Sequence, residues 1–263
     1  MQDWRSYDDV AETYERVHAP RFSDVARDLV ELVGVSAGQR VLDVGTGTGV
    51  GAEAAATAWA TVVGLDASPG MLAVGRRRRD GIRFVAGEAI DLPFPDGTFD
   101  VVTANLVIGH FTRYQTALYD MIRVLKSGGR LALSSWADNR DNLQETWLEL
   151  AESVVPRDVL RSALNKAYPW GDHFADRARL EQALLDADLR HVRTEQRRYR
   201  FQYARDEYVD GLSAFTVGRF LREMLGEEGF ASFMDRARAT FAERVADPLN
   251  DFRYAILAVA TKH

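Results

Sequence analysis

The stretch Val41-Leu-Asp-Val-Gly-Thr-Gly-Thr-Gly49 decides how this sequence is read. Its apolar start, Val41 to Val44, reads as a short buried strand, which breaks into alternating glycines. An alanine-rich helix over about 50–58 follows. Glycines let the backbone turn sharply and come close to a ligand. The N-terminus of the next helix presents free N–H groups to polar or anionic ligand atoms.

Outward from this loop, strands and helices alternate. Upstream, Phe22, Val25, Leu29, Leu32 and Val33 recur at helical spacing and Gly34 stops the run. Downstream comes a strand, Thr61-Val-Val-Gly-Leu-Asp66, then a helix opened by Ser68 as N-cap and Pro69 in its first turn. Further strands are expected at Ile82–Val85, Phe99–Thr103 and Leu131–Trp136, with a helix over about 113–126 between the last two. This alternation predicts βαβ units and a parallel sheet covered on both faces. Right-handed crossovers make it a doubly wound, Rossmann-like α/β fold.

The texture changes after Trp136. Residues 141–170 are polar and helical, interrupted by Pro156 and Pro169. A helix over about 176–187 and an extended charged segment, 190–203, resume the sheet-like pattern. Residues 205–247 are helical and carry Tyr208, Leu212, Phe215, Phe220, Leu221, Met224, Phe230, Phe233 and Phe241. A strand over 252–261 closes the chain. The expected organisation is a single domain over 1–263. It has N-terminal lid helices (1–35), a ligand-binding core (38–136), helical insertions (137–172 and 204–248) and a terminal strand (252–261).

Composition limits the functional classes. The chain is 46% hydrophobic and 27% charged, ordinary for a soluble globular protein. No segment approaches the ~20 consecutive apolar residues of a membrane-spanning helix. The acidic start, Met1 to Val10, has no apolar signal-peptide core, so a cytoplasmic location is the default. With no cysteine there is no disulfide, thiolate zinc site or thiol nucleophile, and no metal is expected. A net charge of -6 argues against a nucleic-acid partner held by bulk electrostatics. The basic run Arg76–Arg79 falls where a helix should end, where cations favour the negative end of the helix dipole. A phosphate-contacting role is its alternative. Monomer and homodimer both remain open.

Three acids stand at the strand ends. Asp66 can accept hydrogen bonds from both hydroxyls of a ribose, or else cap the Ser68-Pro69 helix. Glu88 can accept from an adenine amino group while Ala89 and Ile90 pack on the ring. Asp43 can orient a ligand's ammonium or hold the loop's own N–H groups. A nicotinamide dinucleotide remains an alternative ligand, because Gly47-x-Gly49-x-x-Ala52 satisfies the looser dinucleotide fingerprint.

Four separated stretches make the chain resemble a class I S-adenosylmethionine-dependent methyltransferase of the small-molecule, type 11-like kind. They are Val41–Gly49, Val63-Gly-Leu-Asp-Ala-Ser-Pro-Gly-Met-Leu72, Gly87-Glu-Ala-Ile-Asp-Leu-Pro-Phe-Pro-Asp-Gly-Thr-Phe-Asp-Val-Val102 and Arg123-Val-Leu-Lys-Ser-Gly-Gly-Arg-Leu131. The resemblance implies a seven-stranded sheet whose last strand runs antiparallel between the fifth and sixth. It implies S-adenosylmethionine as cofactor, with S-adenosylhomocysteine as product. By the same resemblance Gly45, Thr46, Gly47 and Gly49 surround the methionine moiety and Asp66 binds the ribose. Ala67 and Met71 pack near the adenosine, Glu88 and Ala89 contact the adenine, and Asn105 and Leu106 lie beside the sulfonium. The chain departs from the family pattern at Glu88, usually Asp, and at Ser127, usually Pro.

Methyl transfer from a sulfonium needs alignment and desolvation above all. A base is needed only for a nucleophile that carries a proton. His110, just beyond the fourth strand, is the first candidate to act as base or to orient the acceptor, and His173 the second. Tyr14, in a lid-like N-terminal helix, is a candidate contact to the cofactor's carboxylate or the acceptor, and Trp4 and Tyr7 are placed to help close the site. The aromatic residues of the second insertion suggest a small-molecule acceptor that is apolar or aromatic. Competing readings are an NAD-dependent oxidoreductase and a catalytically silent cofactor-binding protein. A methyltransferase acting on tRNA or protein is disfavoured by the acidic balance.

Overall fold

The structure, a computed structural model, describes residues 6–138 and 142–263. Its frame is a seven-stranded sheet of order β3-β2-β1-β4-β5-β7-β6. The strands are β1 (Arg40–Val44), β2 (Thr61–Asp66), β3 (Arg83–Ala86), β4 (Phe99–Ala104), β5 (Leu125–Trp136), β6 (Arg190–Tyr203) and β7 (Leu249–Thr261). The first five are parallel, while β7 runs antiparallel to both β5 and β6. Strand order reverses between β1 and β4, which opens a crevice at their carboxyl ends.

Alternate side chains on the central strands leave the sheet in opposite directions, and the burial follows them. Val41, Val101 and Ala132 pack on one face, against α2 (Ala19–Val33) and α3 (Val50–Thr57). A short α1 (Ala11–Thr13) precedes these two helices. Leu42, Val102, Leu131 and Leu133 pack on the other face, under α5 (Tyr114–Val124). Between them in the chain, α4 (Pro69–Arg78) begins with Ser68 Oγ accepting from Met71 N at 3.1 Å. The expected extension of α5 to residue 126 does not form. Leu125 turns to extended backbone and already pairs with Phe99 as part of β5.

The insertions fold as helices. The first contains α6 (Asn142–Glu152), α7 (Arg157–Ala167) and α8 (Gly171–Phe174), and α9 (Arg177–Asp186) follows it. The second is two helices rather than one: α10 (Arg205–Leu212) and α11 (Thr216–Arg244), the latter kinked at Gly226 (φ 67°, ψ 173°). Tyr208, Phe220, Leu221, Phe230, Phe233 and Phe241 join the same core as α2 and β1. Helical spacing therefore buries these aromatics in structure instead of lining a cavity with them. Met224 lies outside that core, exposed.

The N-terminal segment threads between the insertions and the sheet. A π turn, Tyr14–His18, delivers His18 into full burial. His18 Nε2–H donates to the Gly211 carbonyl at 2.9 Å, while Nδ1 accepts from Arg21 Nη1 at 2.9 Å. Burial and the Arg21 charge push its pKa down from 6.5 to about 3. Below pH 6.5 the unfolded chain takes up a proton at this residue that the folded chain refuses. The stability it contributes is therefore complete above pH 6.5 and drains away as pH falls toward 3. Between pH 7 and 5 the Tm of the parent protein should fall about 4–8 °C further than that of His18→Gln. Calorimetry over that range checks this, and parallel pH slopes would refute it.

Candidate functional site

The glycine loop sits at the strand-order reversal, on an anchor placed underneath it. Asp43 is 1% exposed. Its Oδ2 accepts from Thr46 Oγ1 and its Oδ1 from Thr103 Oγ1 on β4, both at 2.7 Å, and the Ala52 N–H adds a third bond. A Cβ on Gly51 would lie 2.6 Å from Asp43 Oδ1, so helix α3 can start directly over the carboxylate only with glycine there. Burial still raises the Asp43 pKa, to about 6, against these bonds. Of its two sequence readings, the geometry matches the anchor of the loop and not a direct ligand contact, because the carboxylate is enclosed and its oxygens are taken.

Gly45, Thr46, Gly47 and Gly49 carry the loop over this anchor, the three glycines with positive φ. Gly47 N donates to Asp66 Oδ2 at 2.7 Å, and Ser68 N to Asp66 Oδ1 at 2.8 Å. Asp66 thus clamps the loop to the β2 end, while the cap of α4 is Ser68. Burial raises the Asp66 pKa. Ala67 lies exposed beside Asp66. Met71 is buried with Ala11 and Val74 under Tyr7 and Tyr14. Glu88 is exposed at the end of β3 and bridges back to Asp91, with Ala89 half-buried behind it.

The β4 end forms the opposite lip. Leu106 adopts φ 58°, a conformation that costs a non-glycine residue free energy and that clusters at functional sites. Ser134 of β5 holds this turn: its hydroxyl donates to Asn105 Oδ1 at 2.7 Å and accepts from Leu106 N at 2.8 Å.

Tyr14 closes over the loop, its Cε1 4.0 Å from where a Gly47 Cβ would stand. Burial, first, and then the neighbouring Tyr7 and Asp66 push its phenol pKa upward. Tyr7 meets Tyr14 edge-on at 5.9 Å and His110 at 6.4 Å. Trp4 lies outside the described residues. The N-terminal segment is fastened to α4 by its acids. Asp8 Oδ1 accepts from Ser68 Oγ at 2.6 Å and Gly70 N at 2.7 Å, Glu12 pairs with Arg77, and Glu15 with Arg79 at 3.0 Å. The run Arg76–Arg79 does end α4, and Arg77 and Arg78 are solvated there, more than half exposed; Arg79 is instead buried against Glu15, and Arg76 donates to the Phe84 carbonyl. Arg79 also donates to Thr48 O at 2.9 Å, which ties the N-terminal segment and the glycine loop to one buried guanidinium.

His110 ends a 3-10 turn after β4, and its Nδ1–H donates to the Ala167 carbonyl at 3.1 Å. A carbonyl only accepts, so the proton sits on Nδ1 and Nε2 keeps its lone pair. Burial drives its pKa down to about 4. The His110 ring meets Tyr168 at 4.4 Å. His173 belongs to a different cluster, with Tyr114, Trp170 and Phe174. The structure does not bring it against His110.

Two residues of this site escaped the sequence reading. Tyr168 is gripped between two glycines: a Cβ on Gly109 would lie 2.3 Å from its ring, and one on Gly171 2.1 Å. Arg219 of α11 is 6% exposed and stacks its guanidinium on Tyr7 at 3.8 Å. The available local signal was an arginine set between Val217-Gly218 and Phe220-Leu221, all of them buried. Gly171 is three residues from Tyr168, but the other half of the grip, Gly109, is 59 positions away, so the pairing is not legible locally.

Comparison with known proteins agrees with this geometry. Residues 42–133 match the family model described as a methyltransferase domain. The chain is 42% identical over 143 residues to a demethylmenaquinone methyltransferase of Renibacterium salmoninarum, a match covering 49% of this chain and 60% of that one. The chain thus spans about three-fifths of that relative's length. Among solved structures it is similar to the YcgJ protein of Bacillus subtilis, with TM-score 0.59, 23% identity, and 91% and 99% of the two chains covered. It is also similar to a phosphoethanolamine N-methyltransferase of Haemonchus contortus in complex with S-adenosyl-L-methionine, with TM-score 0.56, 17% identity, and 91% and 52% covered. Among the described residues no helix is long and apolar enough to cross a membrane, and no group of three or more metal-ligating side chains forms. The chain thus carries a methyltransferase-domain match over residues 42–133, about a third of its length, and shares its fold with these solved structures.

Proposed function

We propose that this chain binds S-adenosylmethionine on the glycine loop and transfers its methyl group to a small-molecule acceptor held under the insertions. The observation that carries the reading is the pairing of an open Gly47 face with the Asp66 carboxylate. Apart from its chain neighbours, no heavy atom lies closer than 4.0 Å to a Cβ built on Gly47, and the Asp66 carboxylate, which accepts from the Gly47, Ser68 and Ala67 N–H groups, has about four lone-pair sites in all. That acceptor group suits ribose hydroxyls beside a close-packed chain. When bound, the cofactor supplies an already activated methyl group on a positively charged sulfur.

The chain's own residues then align and exclude water. Gly45, Thr46, Gly47 and Gly49 present backbone to the methionine end, with Tyr14 above them, and Asp66 takes the ribose hydroxyls. Ala67 and Met71 line the adenosine, Glu88 and Ala89 the adenine. Asn105 and Leu106 border the reaction centre, in a turn that Ser134 keeps rigid. His110 faces the acceptor with Nε2 as a hydrogen-bond acceptor. His173, in its own aromatic cluster, is given no role in transfer.

The relative's name specifies demethylmenaquinone as that protein's acceptor. The match to the family model ends at residue 133, before both insertions, so the acceptor of this chain is written in segments the model does not cover. The nicotinamide alternative finds no support in the comparisons, whose matches are to methyltransferases.

S-adenosylmethionine and S-adenosylhomocysteine should each raise the Tm and NAD should leave it unchanged; stabilisation by NAD alone would overturn the reading. Asp66→Ala should weaken S-adenosylhomocysteine binding by about 1.5–3 kcal/mol in titration calorimetry, and unaltered affinity would leave Asp66 as a loop clamp alone. Glu15→Gln removes the lid's most buried ion pair, with Arg79 at 7% side-chain exposure. It should speed S-adenosylhomocysteine dissociation about 3- to 10-fold in stopped flow, whereas an unchanged rate would separate the ion pair from lid closure.

A further inference from the structure

We propose that the Asn105 amide recognises an oxygen atom of the acceptor, and that Ser134 is the positioning residue that turns the amide toward it. This rests on the methyltransferase reading above and names its substrate class: an apolar ring system that carries a carbonyl, phenolic or enolic oxygen.

The direction of hydrogen bonding decides which way the amide faces. A backbone N–H can only donate, and Leu106 N donates to Ser134 Oγ at 2.8 Å. The hydroxyl passes its own proton on to Asn105 Oδ1 at 2.7 Å. Asn105 therefore uses its carbonyl end on Ser134 and leaves its NH2 group pointing elsewhere. Among the described residues Asn105 Nδ2 has no hydrogen-bond partner, and the residue is only half-buried, so a ligand in the crevice can reach it. Ser134 itself is fully buried. Satisfying the Leu106 N–H needs no more than an acceptor there; the second bond, to a side chain, is one the backbone does not require. Ser135, the next residue, differs in this respect, because its hydroxyl donates to the Phe174 carbonyl and serves packing alone.

Packing places this amide beside the glycine loop. A Cβ on Gly45 would lie 2.6 Å from Val107 Cγ2, so the loop after β1 and the turn after β4 touch, two residues beyond Asn105. The surroundings are apolar and aromatic. Leu106, Trp136 and Phe215 stand half-buried against one core, and Phe22 meets Trp136 at 5.7 Å and Tyr14 at 5.8 Å. Ser134 and Trp136, two residues apart on β5, leave the sheet on the same face. In such a wall a single polar group fixes the orientation of a ligand, and a ligand that leaves it unpaired is rejected more strongly than a change in apolar area would reject it. Charge favours an amide in this place. The bound donor's sulfur is positive, so a lysine or arginine here would add like charge, and a carboxylate would be drawn to the sulfur. A neutral amide donates to the acceptor's oxygen without either effect.

The test uses the full chain, saturated with S-adenosylhomocysteine, and two probes of one ring skeleton, 1-indanone and indane, which differ by the ketone oxygen. Ligand-observed NMR titration gives a Kd for each, and the ratio of the indane Kd to the indanone Kd isolates the oxygen from the shared apolar contacts. Asn105→Asp keeps the acceptor for the Ser134 hydroxyl but replaces the NH2 donor with a carboxylate oxygen, and should lower that ratio about 10-fold. Ser134→Ala frees the amide to turn and should lower it about 3-fold. A purely structural role would weaken both probes alike and leave the ratio at the parent value. An unchanged ratio in Asn105→Asp, or no binding of 1-indanone by the parent protein, would overturn the proposal. An unchanged ratio in Ser134→Ala would overturn its positioning half. Should Ser134→Ala fail to fold, Ser134→Cys, whose thiol is a weak donor, takes its place with the same expected direction. If the parent protein does not bind S-adenosylhomocysteine at all, the methyltransferase reading itself fails, separately from this one.

Discussion

The site hangs on one buried carboxylate. Asp43 ties the glycine loop through Thr46, the fourth strand through Thr103 and the third helix through the Ala52 N–H. An enclosed carboxylate is costly unless its oxygens are satisfied, so these three groups are held where Asp43 requires them. With the loop thus seated, Gly47 can reach Asp66, and the β1 and β2 ends become one rigid edge. The turn just beyond Thr103 at the β4 end is held in addition by Ser134. The crevice between strand ends is therefore a preorganised frame, and preorganisation is what a reaction limited by alignment draws on.

Above this frame the N-terminal segment is attached by graded electrostatics. Glu12 and Arg77 are more than half exposed, and a pair of that kind contributes little. Glu15 and Arg79 are largely buried, and Arg79 also grips the glycine loop through Thr48 O. The N-terminal segment and the glycine loop therefore share Arg79 as an anchor. Asp8 adds a contact at the N-terminus of α4, where an anion also favours the helix dipole. This segment and the second insertion meet where Arg219 stacks on Tyr7.

Much of the frame was legible in the sequence, for identifiable reasons. Central strands buried on both faces read as mostly apolar runs, as in Val41–Val44, interrupted only by Asp43, and in Phe99–Thr103. Ser68-Pro69 announced a helix start through local capping chemistry, and the structure uses it that way. The glycine loop and Asp66 were recognisable because their chemistry is local to strand ends. The lone departure in this region, the early end of α5 at Val124, comes from strand pairing with Phe99, a nonlocal bond that propensity cannot register.

The sequence by itself determined the alternating α/β frame, the loop and the acids at the strand ends, since each depends on neighbours within a few residues. The tertiary structure alone decided that Asp43 faces inward, that Arg79 is buried against Glu15, and that Tyr168 and Arg219 stand beside His110. These facts depend on packing between segments 59 to 212 residues apart in the chain, from Gly109 against Tyr168 to Tyr7 against Arg219. Burial converts such residues from solvated charges and rings into site components, and burial is a property of the assembled fold rather than of any stretch of sequence.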